Sequence, residues 1–207
     1  MKIINPSYEI IDYDKQALKK IEKIARICYK SEEKITAHSS EKFIQNIIIR
    51  GHEAMIEHSS ITVKFICNRG FSHELVRHRI ASFAQESTRY CNYSKKDEIE
   101  VVAPYWFATG KAGDIMAWKL AMESCEKKYL TLIKGGLPPQ AARGVLPIDL
   151  KTEIVITANL REWRSIFKLR TDSAAHPDMQ RLMKPVLQQF KTIISIIFDD
   201  IDCEAQI

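Results

Sequence analysis

Glycine is scarce in this chain, 7 residues of 207, and none fall in the GxGxxG spacing of a dinucleotide-binding βαβ unit. A nucleotide cofactor, if one binds, is therefore not held by a Rossmann phosphate loop. Cysteine is also sparse: Cys28, Cys67, Cys91, Cys125 and Cys203 form an odd set with no close pair. That argues against a disulfide framework or a zinc knuckle and favours a reducing cytoplasm. No long apolar run exists; ISIIF near the C-terminus is too short to span a bilayer. The opening MKIINPSYEIIDYD lacks the apolar core of a signal peptide, so a cytoplasmic protein with no membrane partner is expected. There are no repeats, low-complexity tracts or Gly/Ser linkers, so residues 1–207 are read as a single domain, or at most a tightly merged pair. A basic tail or stripe is missing as well. The net charge of +5 is compatible with nucleic acid and equally with phosphorylated small molecules, but the lysines are scattered, which disfavours nucleic acid.

What is present is an alternation of helical and strand patterns. Lys2–Tyr13 reads as a strand entering a loop. Asp14–Tyr29 has helical spacing, with Leu18, Ile21, Ile24, Ala25 and Cys28 as its apolar stripe. Ser40–Ile49 is a second helix with Ser40 as its cap, and Ser60–Cys67 alternates like a strand. After Gly70, a helix is expected over Phe71–Arg79 with Ser72 as its cap. Ile99–Ala103 reads as a short strand, Asp114–Ile133 as a long helix ended by Gly135-Gly136, and Leu137–Leu146 as a short helix stopped before Pro147. Lys151–Ala158 is a further strand, Asn159 caps a helix over Leu160–Leu169, and the last helix runs from Pro177 to about Phe198. Strands separated by helices of varied length, without regular βαβ alternation, predict an α+β fold.

Two His/Glu clusters resemble a zinc-protease helix at first sight. That motif needs histidines four residues apart. Here His52 and His58 are six apart, and His73 and His78 five, so no metal is expected. Cys91, two residues from Arg89, has a cation beside it but no base in view, so buried inert cysteine is the preferred reading. The densest concentration of donors is RHRIASFAQESTR, Arg77 to Arg89. Residues 77 to 79 are consecutive and on a helix would fan about 100° apart, so they serve several partners or are merely solvated. Asn159, Arg161, Ser165 and Arg170 form a second donor-rich region, and Arg143 stands alone in AARGVLP. Planar guanidinium groups suit phosphate and uracil-type edges; a solvated helix face is the alternative.

Arg77-His78-Arg79-Ile80-Ala81-Ser82, followed by Ser87-Thr88-Arg89-Tyr90, resembles the signature of the flavin-dependent thymidylate synthases. Gly51-His52-Glu53…Glu57-His58 resembles the family's GHE…EH segment, and Arg143-Gly144-Val145-Leu146-Pro147 its second arginine motif. Asn159-Leu160-Arg161 and Leu169-Arg170…Asp172-Ser173…His176 resemble its C-terminal block. The resemblance implies methylation of dUMP to dTMP, with carbon from 5,10-methylenetetrahydrofolate and a hydride from NADPH through FAD. It implies a twisted, mainly antiparallel sheet flanked by helices, one domain per subunit, in a homotetramer whose sites are shared. By the same resemblance dUMP is bound by Glu74, Leu75, Val76, Arg77, Gln85, Glu86, Ser87, Thr88, Arg89, a neighbouring subunit's Arg143, and Arg170. FAD is bound by His52, Ala54, Arg77, His78, Arg79, Gln85, Asn159, Leu160, Arg161 and Ser165. Arg170 is the catalytic group, set against the uracil ring to favour its ionised form. Ser87 binds and polarises, and Cys91 has no necessary role. Three positions depart from the family: Ser165 where many members carry Asn, Ala54 where a hydroxyl residue is common, and Ala84 in the loop.

Overall fold

A computed structural model of the chain describes residues 1–202, so Cys203 lies outside the described residues. Its strands are β1 (Lys2–Ile4), β2 (Ser7–Tyr13), β3 (Ser60–Asn68), β4 (Ala81–Gln85), β5 (Glu100–Val102) and β6 (Lys151–Asn159). Its helices are α1 (Ala17–Ile27), α2 (Ser39–Ile49), α3 (Arg69–Leu75), α4 (Ala112–Lys134), α5 (Pro139–Ala142), α6 (Leu160–Arg170) and α7 (Pro177–Ile193). The architecture is mixed α and β, with an antiparallel sheet and helices. The four-stranded sheet has the order β2-β3-β6-β4, and β1 pairs with β5 in parallel, Ile3 opposite Val101. Chain contacts divide into two compact units. One comprises Met1–Tyr8, Lys64–Arg77 and Phe83–Val155; the other comprises Glu9–Val63, His78–Ser82 and the chain from Ile156 onward.

In the first unit, Ile99, Val101, Met122, Tyr129, Ala142 and Leu150 form a core against which Ile3 and Trp118 pack. Met122 and Tyr129, seven residues apart, are the buried residues of α4, and Trp118, Leu130 and Ile133 pack half-buried beside them. The helix ends as its sequence requires, with Gly136 at φ 92°, a left-handed position that glycine occupies without a Cβ penalty. Helix α3 differs from expectation at both ends. Asn68, not Ser72, is the cap; its Oδ1 accepts from the Phe71 backbone N–H at 2.8 Å, so the helix starts two residues early. Ser72 is fully buried inside the helix, and its hydroxyl donates to the Arg69 carbonyl at 2.9 Å. The helix stops at Leu75, which leaves the Arg77–Arg79 triplet in a turn and Ala81–Gln85 free to form β4, a strand the residue pattern did not announce.

In the second unit, a buried ion pair within α1 is tied to α2 by a hydroxyl. Arg26 donates to Glu22 at 2.6 Å, and Ser39 of α2 donates to the same carboxylate at 2.9 Å. This pair rotates α1 so that Ala17, Ile21 and Ala25 are buried while Cys28 is exposed, against the expected stripe. Helix α2 starts at Ser39, with His38 as its flanking residue, so Ser40 is not the cap. Helices α6 and α7 close around an aromatic cluster: Trp163 and Phe167 each lie 5.0 Å from Phe190, and Phe198 lies 5.7 Å from Phe167. Helix α7 ends at Ile193, short of the expected Phe198, because the chain reverses at Ile196 (φ 76°) to return Phe198 to that cluster.

Candidate functional site

The first unit carries the loop after β4. Gln85 is aimed inward: its Nε2 donates to Ser72 Oγ at 2.8 Å and to Thr152 Oγ1 at 3.2 Å. Glu86 is more tightly held. Its amide donates to the Glu153 carbonyl at 2.9 Å, its carbonyl accepts from Arg69, and its carboxylate accepts from Tyr93 Oη at 2.9 Å and Lys151 Nζ at 3.1 Å. The side chain is therefore an internal brace of the loop rather than an outward contact. Burial, reinforced by the Glu86 charge, pushes the Tyr93 phenol well up, so it remains a donor. Lys151 also bonds Glu153 at 2.6 Å and, with Lys64, holds that carboxyl down at about 2.

This bracing presents the next three residues. Ser87 accepts the Tyr90 and Cys91 amides at its carbonyl, at 3.2 and 2.9 Å, and its Oγ accepts the Arg89 amide at 3.3 Å. Thr88 Oγ1 accepts from Arg143 Nη1 at 3.4 Å, which brings the second arginine motif to the loop within one chain. Arg89 lies over its neighbour Tyr90 at 5.4 Å. At the end of α3, Leu75 is fully buried, Glu74 is half-buried, and Val76 and Arg77 are exposed. A buried Leu75 side chain belongs to the core and leaves only backbone to a ligand.

In the second unit, His78 is 6% exposed. Its Nε2 accepts the Nε–H of Arg170 at 3.0 Å, and its Nδ1 faces Glu162 Oε1 at 3.5 Å. Burial, with the Arg170 charge added, lowers His78 to about 4, so the ring is neutral and the Glu162 contact is no ion pair. Nε2 accepts, so the ring proton is assigned to Nδ1. Arg79 is exposed. Asn159 caps α6 as expected, its Oδ1 accepting from the Glu162 amide at 2.8 Å. Leu160 is buried and donates its amide to the Ser59 carbonyl at 2.9 Å. Arg161 is half exposed and bonds Glu57 at 2.6 Å; Ser165, one turn on, is exposed. His52 and Ala54 follow Gly51, whose φ of 69° makes the turn, and both line a cavity of about 550 Å³ with Cys28, Tyr29, Phe43 and Arg50.

Of the residues proposed from the sequence, Glu74, Leu75, Val76, Arg77, Gln85, Glu86, Ser87, Thr88, Arg89 and Arg143 lie in the first unit, and His52, Ala54, His78, Arg79, Asn159, Leu160, Arg161, Ser165 and Arg170 lie in the second. Sequence reasoning missed Cys28, Tyr29 and Arg50 as cavity wall, because the helical period assigned Cys28 to the core. It gave Glu53 no partner and passed over Arg164; the bond between them spans 111 residues. Cys67, by contrast, is buried, its thiol pushed up to about 12, and it is inert.

The sequence profile of the Thymidylate synthase complementing protein family matches residues 9–194. The chain is 35% identical over 183 residues to the flavin-dependent thymidylate synthase of Geobacter sulfurreducens, covering 85% of this chain and 78% of that protein. It is 32% identical over 189 residues to that of Pyrococcus furiosus, covering 87% and 77%. Among solved structures, the crystal structure of a UMP/dUMP methylase PolB from Streptomyces cacaoi, bound with 5-Br dUMP, shares the fold. Its TM-score is 0.81 at 22% identity, with 96% of each chain covered.

Proposed function

We propose that this chain, which belongs to the Thymidylate synthase complementing protein family, is a flavin-dependent thymidylate synthase that methylates dUMP to dTMP. The observation that carries the reading is the family match across residues 9–194, joined to a set of arginines at the family's motif positions. FAD is the cofactor; 5,10-methylenetetrahydrofolate supplies the carbon and NADPH the hydride.

The residues present fit a flavin. An anionic diphosphate needs unengaged donors, and Arg77 and Arg79 are exposed, with no side-chain hydrogen bond or ion pair among the described residues. A flat, largely apolar ring needs a concave wall, and His52 and Ala54 line one. Arg161 and Ser165 add polar contacts on the exposed face of α6, with Asn159 and Leu160 forming the start of that helix. Bound FAD would relay the hydride of NADPH to the carbon delivered by the folate.

The chain's own part is to bind and polarise. Arg77, Arg89 and Arg143 neutralise the dUMP phosphate while Ser87 and Thr88 supply hydroxyls. Arg170 faces the uracil ring, where a fixed guanidinium stabilises negative charge as the ring ionises. His78, neutral and buried, keeps that guanidinium aimed. No enzyme nucleophile is required, and Cys91 takes no part. The reading extends to one domain per subunit, a cytoplasmic homotetramer with Arg143 given to a neighbour's site, and no nucleic acid or membrane as partner.

Assaying dTMP formation with FAD, NADPH and 5,10-methylenetetrahydrofolate omitted in turn tests the reading. Product is expected only when all are present; product without flavin would overturn it. Gel filtration tests the assembly, since a monomer that turns over is incompatible with shared sites.

A further inference from the structure

We propose that Arg164 is a positioning residue for flavin binding, holding Glu53 so that Arg161 remains available to an anionic ligand. The proposal rests on the reading of Arg161, His52 and Ala54 as flavin contacts.

Arg164 lies inside α6 with its side chain 3% exposed. Its Nε donates to Glu53 Oε1 at 3.0 Å, its Nη2 to Asp200 Oδ2 at 2.7 Å, and its Nη1 to both Asp200 Oδ1 and the Ile197 carbonyl. A planar fork with its donors committed in three directions is a rigid joint. It ties together the Glu53–His58 turn, α6 and the segment after α7. That last segment needs the tie. Ile196 sits at φ 76°, a left-handed conformation that a β-branched residue keeps only when its surroundings enforce it. Asp199 Oδ2, accepting the Ile196 amide at 2.9 Å, is the other restraint.

Glu53 is the pivot. One carboxylate oxygen bonds Arg164; the other lies 3.9 Å from Nε of Arg161, whose Nη1 is already bonded to Glu57 at 2.6 Å. Two cations therefore compete for Glu53, and the shorter, buried contact belongs to Arg164. Charge pairs strengthen as water is excluded, so this contact dominates over the half-exposed one. Without the Arg164 charge, Arg161 is the cation left within 4.0 Å of Glu53 among the described residues. Arg161, already paired with Glu57, then takes the Glu53 charge that Arg164 had neutralised and offers less to a diphosphate.

Titration of the apoprotein with FAD, read as quenching of flavin fluorescence, tests the proposal. Arg164→Met is expected to weaken FAD binding by about tenfold. Adding Glu53→Gln is expected to recover most of that loss, because a neutral amide no longer captures Arg161. General loosening of the fold predicts the opposite, two losses that add. Should Arg164→Met fail to fold by circular dichroism, Arg164→Lys with and without Glu53→Gln makes the same comparison, since lysine cannot fork to three partners. Unchanged affinity in the Arg164 variants, or no recovery with glutamine, overturns the proposal. Unchanged affinity in Arg161→Ala overturns the flavin reading itself, and the proposal with it.

Discussion

Arg170 donates its Nε–H to Nε2 of His78 across 3.0 Å, linking the last turn of α6 to the middle residue of the Arg77–Arg79 triplet. The triplet's neighbours diverge for this reason: the histidine turns inward to orient an arginine, while Arg77 and Arg79 stay exposed. A consecutive trio thus divides into one positioning group and two cations available to ligands.

Arg170→Ala is expected to lower dTMP formation by about 10²–10³-fold, the usual loss when a fixed donor to developing negative charge is removed. FAD binding should persist. Near-normal turnover in this variant would remove Arg170 from the reaction.

His78 gives the protein an acid limit. Burial, then the Arg170 charge, hold it at about 4 instead of 6.5. Between those values the unfolded chain binds a proton that the folded chain refuses, so stability is fully present above pH 6.5 and declines as pH falls toward 4. Thermal melts at stepped pH should show a shallower decline for His78→Asn than for the wild type. Parallel slopes would locate the titrating group elsewhere.

Glu153 sets a second, lower limit. The Lys151 hydrogen bond, then that of Lys64, keep its carboxyl at about 2 against 4.5. Its contribution is complete above pH 4.5 and is lost as pH falls through the interval to about 2. In Glu153→Gln this limb should be absent from the same melts.

Lys151→Met leaves two carboxylates, Glu86 and Glu153, without their shared cation. The cost is expected to be about 1–3 kcal/mol. Because Glu86 braces the loop ahead of Ser87, the KM for dUMP should rise more than kcat falls. A variant with reduced stability and an unaltered KM would confine Lys151 to the fold.

Asn159→Ala should destabilise the protein by about 1 kcal/mol through loss of the α6 cap. Asn159→Asp keeps the acceptor and should hold the wild-type melting temperature. If the alanine variant also melts normally, the cap carries no energy.

Local devices were readable along the chain. Asn159 as a cap, Gly135-Gly136 as a stop and the alternation of Ser60–Cys67 each depend on neighbours within a few residues, and each matches the folded protein. The arginines and Ser87 were readable as a set because their motif spacing survives in one dimension. Three features were not. Strand β4 is short, and its partners lie far along the chain; Gln85, for instance, bonds Thr152. Cys28 was assigned to a buried stripe because periodicity cannot foresee that Glu22 and Arg26 would be buried as a pair and turn the helix. The Glu86 carboxylate is held by Tyr93 and Lys151, a bracing that spacing along the chain does not show.

By itself the sequence determined the family, the α and β content and the identity of the cationic groups, because those follow from residue type and short-range spacing. Only the tertiary structure decided which charges stay available and which are consumed. Arg77 and Arg79 remain exposed, whereas His78 and Arg164 are buried against partners 92, 33 and 36 residues away in the chain. Burial and Coulomb attraction act on distance in space, and that distance is set by packing.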